Sequence, residues 1–239
     1  MKKIICLWSC PRNISTALMY SFGNREDTEI YDEVLYGYYL HKTGLKHPGY
    51  NEVINNMEID YQKVIDEIIL TPKKNINFHK LMTHFLIDLD LEFLKKVSNI
   101  IFIRNPKEII NSYSKIIPNP TIADIGIKQQ FKLYNHLLKT NNEPVVLDSS
   151  ILLKNPKKIL QILCDKLEIS YSNKMLKWSK GPKKADGIWA KYWYKNVHKS
   201  SGFNDYKIKD IKLSHKNQKL AQDCEKYYNF LFSKSIRFS

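Results

Sequence analysis

Lys3-Ile4-Ile5-Cys6-Leu7-Trp8-Ser9-Cys10-Pro11-Arg12-Asn13-Ile14-Ser15-Thr16 reads as a buried strand that empties into a loop and then a helix. Ile4–Trp8 is a short continuous apolar run, the pattern of a strand covered on both faces. Met1-Lys2-Lys3 before it mimics the start of an export signal. The apolar run stops at Pro11-Arg12, short of the roughly 7–15 residues that export needs. The helix is expected over Asn13–Phe22, with Asn13 a good N-cap. A strand–loop–helix junction offers an anion oriented N–H groups and the positive end of the helix dipole. Arg12 adds a planar cationic fork, and Ser15 and Thr16 add hydroxyls. The plain alternative is an ordinary capped helix. The loop is no Walker A sequence, which needs Gly-Lys directly before its Ser/Thr. Asn13-Ile14 stands there instead, so the lysine that holds the outer phosphates of ATP is missing.

Working outward, Glu29–Tyr31, Ile76–Phe78, Ile100–Ile103 and Val145–Leu147 repeat the short apolar pattern. Helices are expected over Tyr61–Leu70, Phe85–Val97, Lys107–Ile116, Ile127–Leu138, Pro156–Leu167 and His215–Phe232. Pro106 and Pro156 suit first-turn positions, where a missing N–H costs nothing. Alternating strands and helices predict an α/β fold, a parallel sheet between two helical layers, with ligands beyond the carboxyl ends of the strands. No repeat or linker divides residues 1–239, so one domain is expected. Residues 174–213 differ in being basic and aromatic. Gly181-Pro182, Asp186-Gly187 and Ser201-Gly202 are turn signals there, and the stretch reads as a lid on the sheet edge with hinges at the first and last pairs.

The 239 residues are 43% hydrophobic and 26% charged, which fits neither wholesale disorder nor a fibrous repeat. No apolar run approaches the roughly 20 residues that span a bilayer. Four scattered cysteines without a C-x-x-C suit a reduced, cytoplasmic setting rather than a disulfide frame or zinc site. No other metal-ligand spacing occurs, so no metal is expected. The net charge of +14 is uneven: residues 1–120 carry +1, residues 121–239 carry +13, and Lys174–Lys219 alone carries +10. Such a block implies an anionic partner or a lysine-rich solvated face.

The second informative stretch is Ile100-Ile-Phe-Ile-Arg104-Asn-Pro106-Lys-Glu108-Ile-Ile-Asn-Ser112. Arg104 at a strand end and Ser112 two turns along the next helix can clasp one phosphate from two directions. The alternative is that Arg104 simply pairs with Glu108. Only four of the 38 basic residues are Arg, and Arg12 and Arg104 both fall in candidate anion sites. Arg is the residue for planar, bidentate anion recognition.

Pro11-Arg12-x-x-Ser15-Thr16 resembles the 5′-phosphosulfate loop of sulfotransferases, and Arg104-x-Pro106-x-Glu108-x-x-x-Ser112 resembles their 3′-phosphate motif at matching spacing. Leu147–Leu167, Asp32-Glu33 and Gly181-Pro182…Asp186-Gly187-x-Trp189 are similar to segments of the soluble bacterial and plant subgroup. Departures are Ile14 for the usual loop glycine, Cys10 for a glycine, and Val34 for a proline. The resemblance implies a P-loop-type α/β fold and 3′-phosphoadenosine-5′-phosphosulfate (PAPS) as donor. Pro11, Arg12, Asn13, Ile14, Ser15 and Thr16 would then hold the phosphosulfate, and Arg104 and Ser112 the 3′-phosphate.

It also implies a small-molecule acceptor, with Asp32 and Tyr36 expected to contact it. Glu33, after the second strand, is the first choice for the base that takes the acceptor proton. His84 is the second, because a His suits proton abstraction near neutrality. Arg12 would neutralise charge as the sulfuryl group leaves. Tyr36, Tyr38 and Tyr39 either line the acceptor pocket or belong to the core. Two rival functions stand beside the sulfotransferase. One is a small-molecule or nucleotide kinase, which needs the missing loop lysine. The other is a nucleic-acid binder stacking bases on Trp189, Tyr192, Trp193 and Tyr194, though no RRM, KH or helix-turn-helix signature supports it.

Overall fold

A computed structural model describes residues 2–208 and 210–238. Its centre is a parallel five-stranded sheet: β1 (Lys3–Ser9), β2 (Thr28–Asp32), β3 (Ile76–Met82), β4 (Ser98–Ile103) and β5 (Val145–Asp148), in the order β2-β3-β1-β4-β5. β1 registers Lys3 against Ile76 of β3 and Ile5 against Ser98 of β4. Successive side chains of a strand point to opposite faces. Ile5 and Leu7 therefore join one core with Phe78, Leu18 and Leu163, while Cys6 and Trp8 join the other with Ile101, Leu137 and Leu231. The chain winds to one side of β1, then crosses to the other at β4. That reversal leaves a crevice at the carboxyl ends of the strands.

The helices are α1 (Ser15–Gly23), α2 (Tyr36–Thr43), α3 (Tyr50–Asn56), α4 (Tyr61–Lys63, widening into a π turn to Ile69), α5 (Pro106–Tyr113), α6 (Ile122–Ile125), α7 (Ile127–Lys139), α8 (Ser149–Lys154), α9 (Pro156–Lys166), α10 (Ala190–Trp193) and α11 (His215–Ser233). Pro106 and Pro156 occupy first-turn positions. The side chains of Asn105 and Asn155 cap their helices by accepting from Lys107 N and Lys158 N. Among the described residues no helix is long and apolar enough to cross a membrane.

Two local expectations fail. No long helix spans Phe85–Val97: single 3₁₀ turns at Thr83–Phe85 and Glu92–Lys96 flank irregular chain. Asp88 sits at φ 50, a left-handed conformation that ends a helix and that Asp tolerates. Ile87, Leu89 and Leu91 still pack on the core, and the Tyr38 hydroxyl donates to Ile87 O at 2.7 Å. Nor does Asn13 cap α1. The capping position is Ile14, while Asn13 Nδ2 donates to Phe102 O across the sheet end.

Candidate functional site

The loop after β1 is fixed from below by a buried amide. Gln130 Nε2 donates to Trp8 O at 2.9 Å and Phe102 O at 2.8 Å, and Gln130 Oε1 accepts from Cys10 Sγ at 3.0 Å. Cys10 thus packs inside this bracket, and burial raises its thiol pKa. Above it, Arg12 and Ile14 both take positive φ, at 58° and 54°. Ile14 adopts the left-handed turn that glycine would take freely, at about 1–2 kcal/mol for a residue with a Cβ. Strain of this kind persists where surrounding structure enforces it, often at functional sites.

No side chain caps α1; Ala17 N donates to Ile14 O at 3.0 Å, which leaves the N–H groups of Ser15 and Thr16 to solvent or a ligand. Arg12 Nε donates to Ser112 Oγ at 3.0 Å, and Arg12 Nη1 to Trp193 O at 3.3 Å. Among the described residues no carboxylate pairs with Arg12. Burial, then the nearby Arg104 charge, lowers its pKa. A half-buried guanidinium with no carboxylate partner among the described residues, beside an uncapped helix start, has the charge and the donors to receive an anion. Arg104 holds Glu108 through Nε (3.0 Å) and Nη2 (2.5 Å) while its Nη1 donates to Arg12 O at 2.6 Å. The Arg104–Glu108 pair weighed from the sequence is therefore formed, yet Arg104 and Ser112 still face the same space as the loop. A cavity of about 880 Å³ is lined by Pro11–Thr16, Arg104 and Ser112, together with Glu33, Tyr36 and His84.

Glu33 follows β2 with φ 47, and its N–H donates to Lys80 O at 2.7 Å. This twist departs from the strand and sets the carboxyl on the cavity wall. Burial pushes that carboxyl up and the Lys80 ammonium opposes it, leaving the pKa at about 7. His84 lines the cavity too, but burial lowers its pKa to about 3. A base near the working pH is the better proton acceptor, which favours Glu33. The expectation that Asp32 contacts an acceptor is overturned. Its buried carboxylate binds Lys80 Nζ at 2.7 Å, accepts the Tyr194 hydroxyl at 2.8 Å and accepts Gly187 N at 3.0 Å, and it does not line the cavity. Tyr36 does line it, its hydroxyl 2.9 Å from His47 Nδ1. Tyr38 and Tyr39 belong to the core.

Sequence reasoning missed Lys80. The one available signal was a lysine continuing the apolar run Ile76–Phe78. Of the four aromatic residues named for base stacking, Trp189 and Tyr194 are buried, and Trp189 meets Tyr36 edge-on at 5.0 Å, so neither ring is free to stack on a base; Trp193 is half-buried on the cavity wall and Tyr192 is exposed. Asp186 ties the segment down by accepting the Tyr20 hydroxyl at 2.6 Å and approaching His198 Nε2 at 2.9 Å. The turn pairs read as hinges are braced as well: Gly181 N donates to His198 O at 2.7 Å and Trp178 N to Ser201 O at 3.1 Å. No group of three His, Cys, Asp or Glu among the described residues could hold a metal ion.

A family model described as a sulfotransferase domain matches residues 1–231. Two Arabidopsis thaliana proteins, named branched-chain-amino-acid aminotransferase-like protein 2 and protein 1, are each 37% identical to this chain, over 96% and 97% of its length. The matches cover 41% and 42% of those proteins, so the chain spans about two fifths of these relatives. Among solved structures, a sulfotransferase from Alicyclobacillus acidocaldarius superposes with TM-score 0.61 at 9% identity, covering 100% of this chain and 98% of its own. The sulfotransferase domain from the curacin biosynthetic pathway gives 0.54 at 15% identity, covering 94% and 98%. At such identities these likenesses speak to the fold.

Proposed function

This chain belongs to the sulfotransferase family, and from that premise we propose that it moves a sulfuryl group from PAPS to a hydroxyl or amine of a small molecule. The observation that carries the reading is Arg12, a cation with no carboxylate partner among the described residues, at an uncapped helix start. One cavity of about 880 Å³ takes in both Arg12 and Arg104, which suit a nucleotide, and Glu33, which suits an acceptor. Ser15 and Thr16, with the first-turn N–H groups of α1, would hold the phosphosulfate. Arg104 and Ser112 would hold the 3′-phosphate, with Arg104 sharing its fork between that anion and Glu108. The donor supplies the activated sulfuryl group. Transfer of such a group needs positioning and charge neutralisation more than covalent help. Arg12 meets the charge that builds on the leaving phosphate oxygen. Glu33 takes the proton from the acceptor. Trp189 and Tyr194, from residues 174–213, cover the site and keep water from it.

Calorimetry tests the donor reading. Adenosine 3′,5′-bisphosphate, the product of PAPS, is expected to bind at least tenfold more tightly than ATP, and equally with Mg²⁺ or with EDTA. Equal affinity for the two nucleotides, or dependence on Mg²⁺, would put the rival kinase reading ahead of the sulfotransferase.

A further inference from the structure

Lys80 is fully buried on β3, yet it reaches four polar groups. Its Nζ lies 2.7 Å from Asp32 Oδ1, 2.6 Å from Glu33 Oε1 and 3.4 Å from Thr16 Oγ1, and it touches the Tyr194 hydroxyl. These partners come from the end of β2, the start of α1 and the residue after α10. Tyr194 in turn donates to both oxygens of Asp32, at 2.9 and 2.8 Å. We propose that Lys80 is a positioning residue for Glu33: clamped by Asp32 and Tyr194, it fixes the Glu33 carboxyl at the cavity wall and favours its ionised form. The inference rests on Glu33 being the base of the proposed reaction.

The charges around Glu33 make the direction clear. Asp32 on its own strand repels its ionised form, as would ionised Tyr36 from α2, Tyr113 from α5 or Tyr194. Among the described residues Lys80 is the one cation paired with it. Burial drives Glu33 toward its neutral form, in which it cannot take a proton. Lys80 opposes that drive. Burial alone would lower the Lys80 pKa, but the Asp32 and Glu33 carboxylates outweigh it and raise it. The ammonium therefore stays charged throughout the range in which Glu33 titrates. The clamp also joins the base to residues 174–213 through Tyr194, and to the anion loop through Thr16.

The test is the titration of Glu33 itself, followed by carbon-labelled glutamate NMR in the wild type and in Lys80→Met. This readout needs no sulfuryl transfer, so it separates the role of Lys80 from the activity of the site. In Lys80→Met the Glu33 acid constant is expected to fall at least tenfold, moving its midpoint up by one pH unit or more. The acid limb of any kcat/KM–pH profile moves with it, a shift that a purely structural lysine would not cause. In the wild type, the nitrogen resonance of Lys80 Nζ is expected to move at the Glu33 midpoint, which tests the coupling even if Lys80→Met does not fold. An unchanged Glu33 midpoint in Lys80→Met, or a Lys80 resonance blind to the Glu33 transition, overturns the proposal.

Discussion

Replacing Glu33 with Gln is expected to lower acceptor-dependent release of adenosine 3′,5′-bisphosphate from PAPS by about 10²–10⁴-fold, the usual contribution of a positioned base. Binding of adenosine 3′,5′-bisphosphate should be unchanged, because the ionic partner of Glu33 is Lys80 and not Arg12 or Arg104. The substitution keeps the shape and leaves Lys80 paired with Asp32 at 2.7 Å, so the fold keeps its buried ion pair. Initial rates over a panel of acceptors, with calorimetry for the nucleotide, check both halves. Full turnover in Glu33→Gln would move the proton acceptor to His84, despite the lowered pKa of that imidazole.

Arg104→Ala is expected to weaken adenosine 3′,5′-bisphosphate at least tenfold. Removing one partner of a buried, hydrogen-bonded charge pair costs roughly 2–5 kcal/mol. Arg104 also donates to Arg12 O at 2.6 Å, so the variant could loosen the anion loop rather than lose a phosphate contact. Adenosine 5′-phosphosulfate, which lacks the 3′-phosphate, separates the two. A lost contact leaves its affinity unchanged. A loosened loop weakens both nucleotides alike, and that result would remove Arg104 from the 3′-phosphate site.

β1, β4 and β5 were legible because parallel strands buried on both faces leave near-continuous apolar runs, whereas the edge strand β2, half-buried at three of its five residues, shows only Ile30-Tyr31 between polar neighbours. The two anion motifs were legible because Arg is scarce here and each Arg follows a strand end. Phe85–Val97 misled because its apolar residues pack on the core from irregular chain, and a left-handed Asp88 leaves little trace in a hydrophobic pattern. Asp32 misled for a different reason. A carboxylate at a strand end reads alike whether it meets a ligand or a buried ammonium, and its partners come from β3 and from a segment more than 150 residues away. Lys80 was hidden because an isolated lysine beside a strand ordinarily marks the solvated end. The aromatic residues of 174–213 could be counted in the sequence, but which of them turn inward is decided by tertiary contacts.

Transfer of label from sulfur-labelled PAPS to a panel of neutral alcohols, phenols, sugars and amines, in the presence of EDTA, tests sulfuryl transfer most directly. Labelled product should form with at least one class of acceptor, in step with release of adenosine 3′,5′-bisphosphate and without any added metal. Intact PAPS across the panel, together with Mg²⁺-dependent phosphorylation of the same acceptors by ATP, would contradict it.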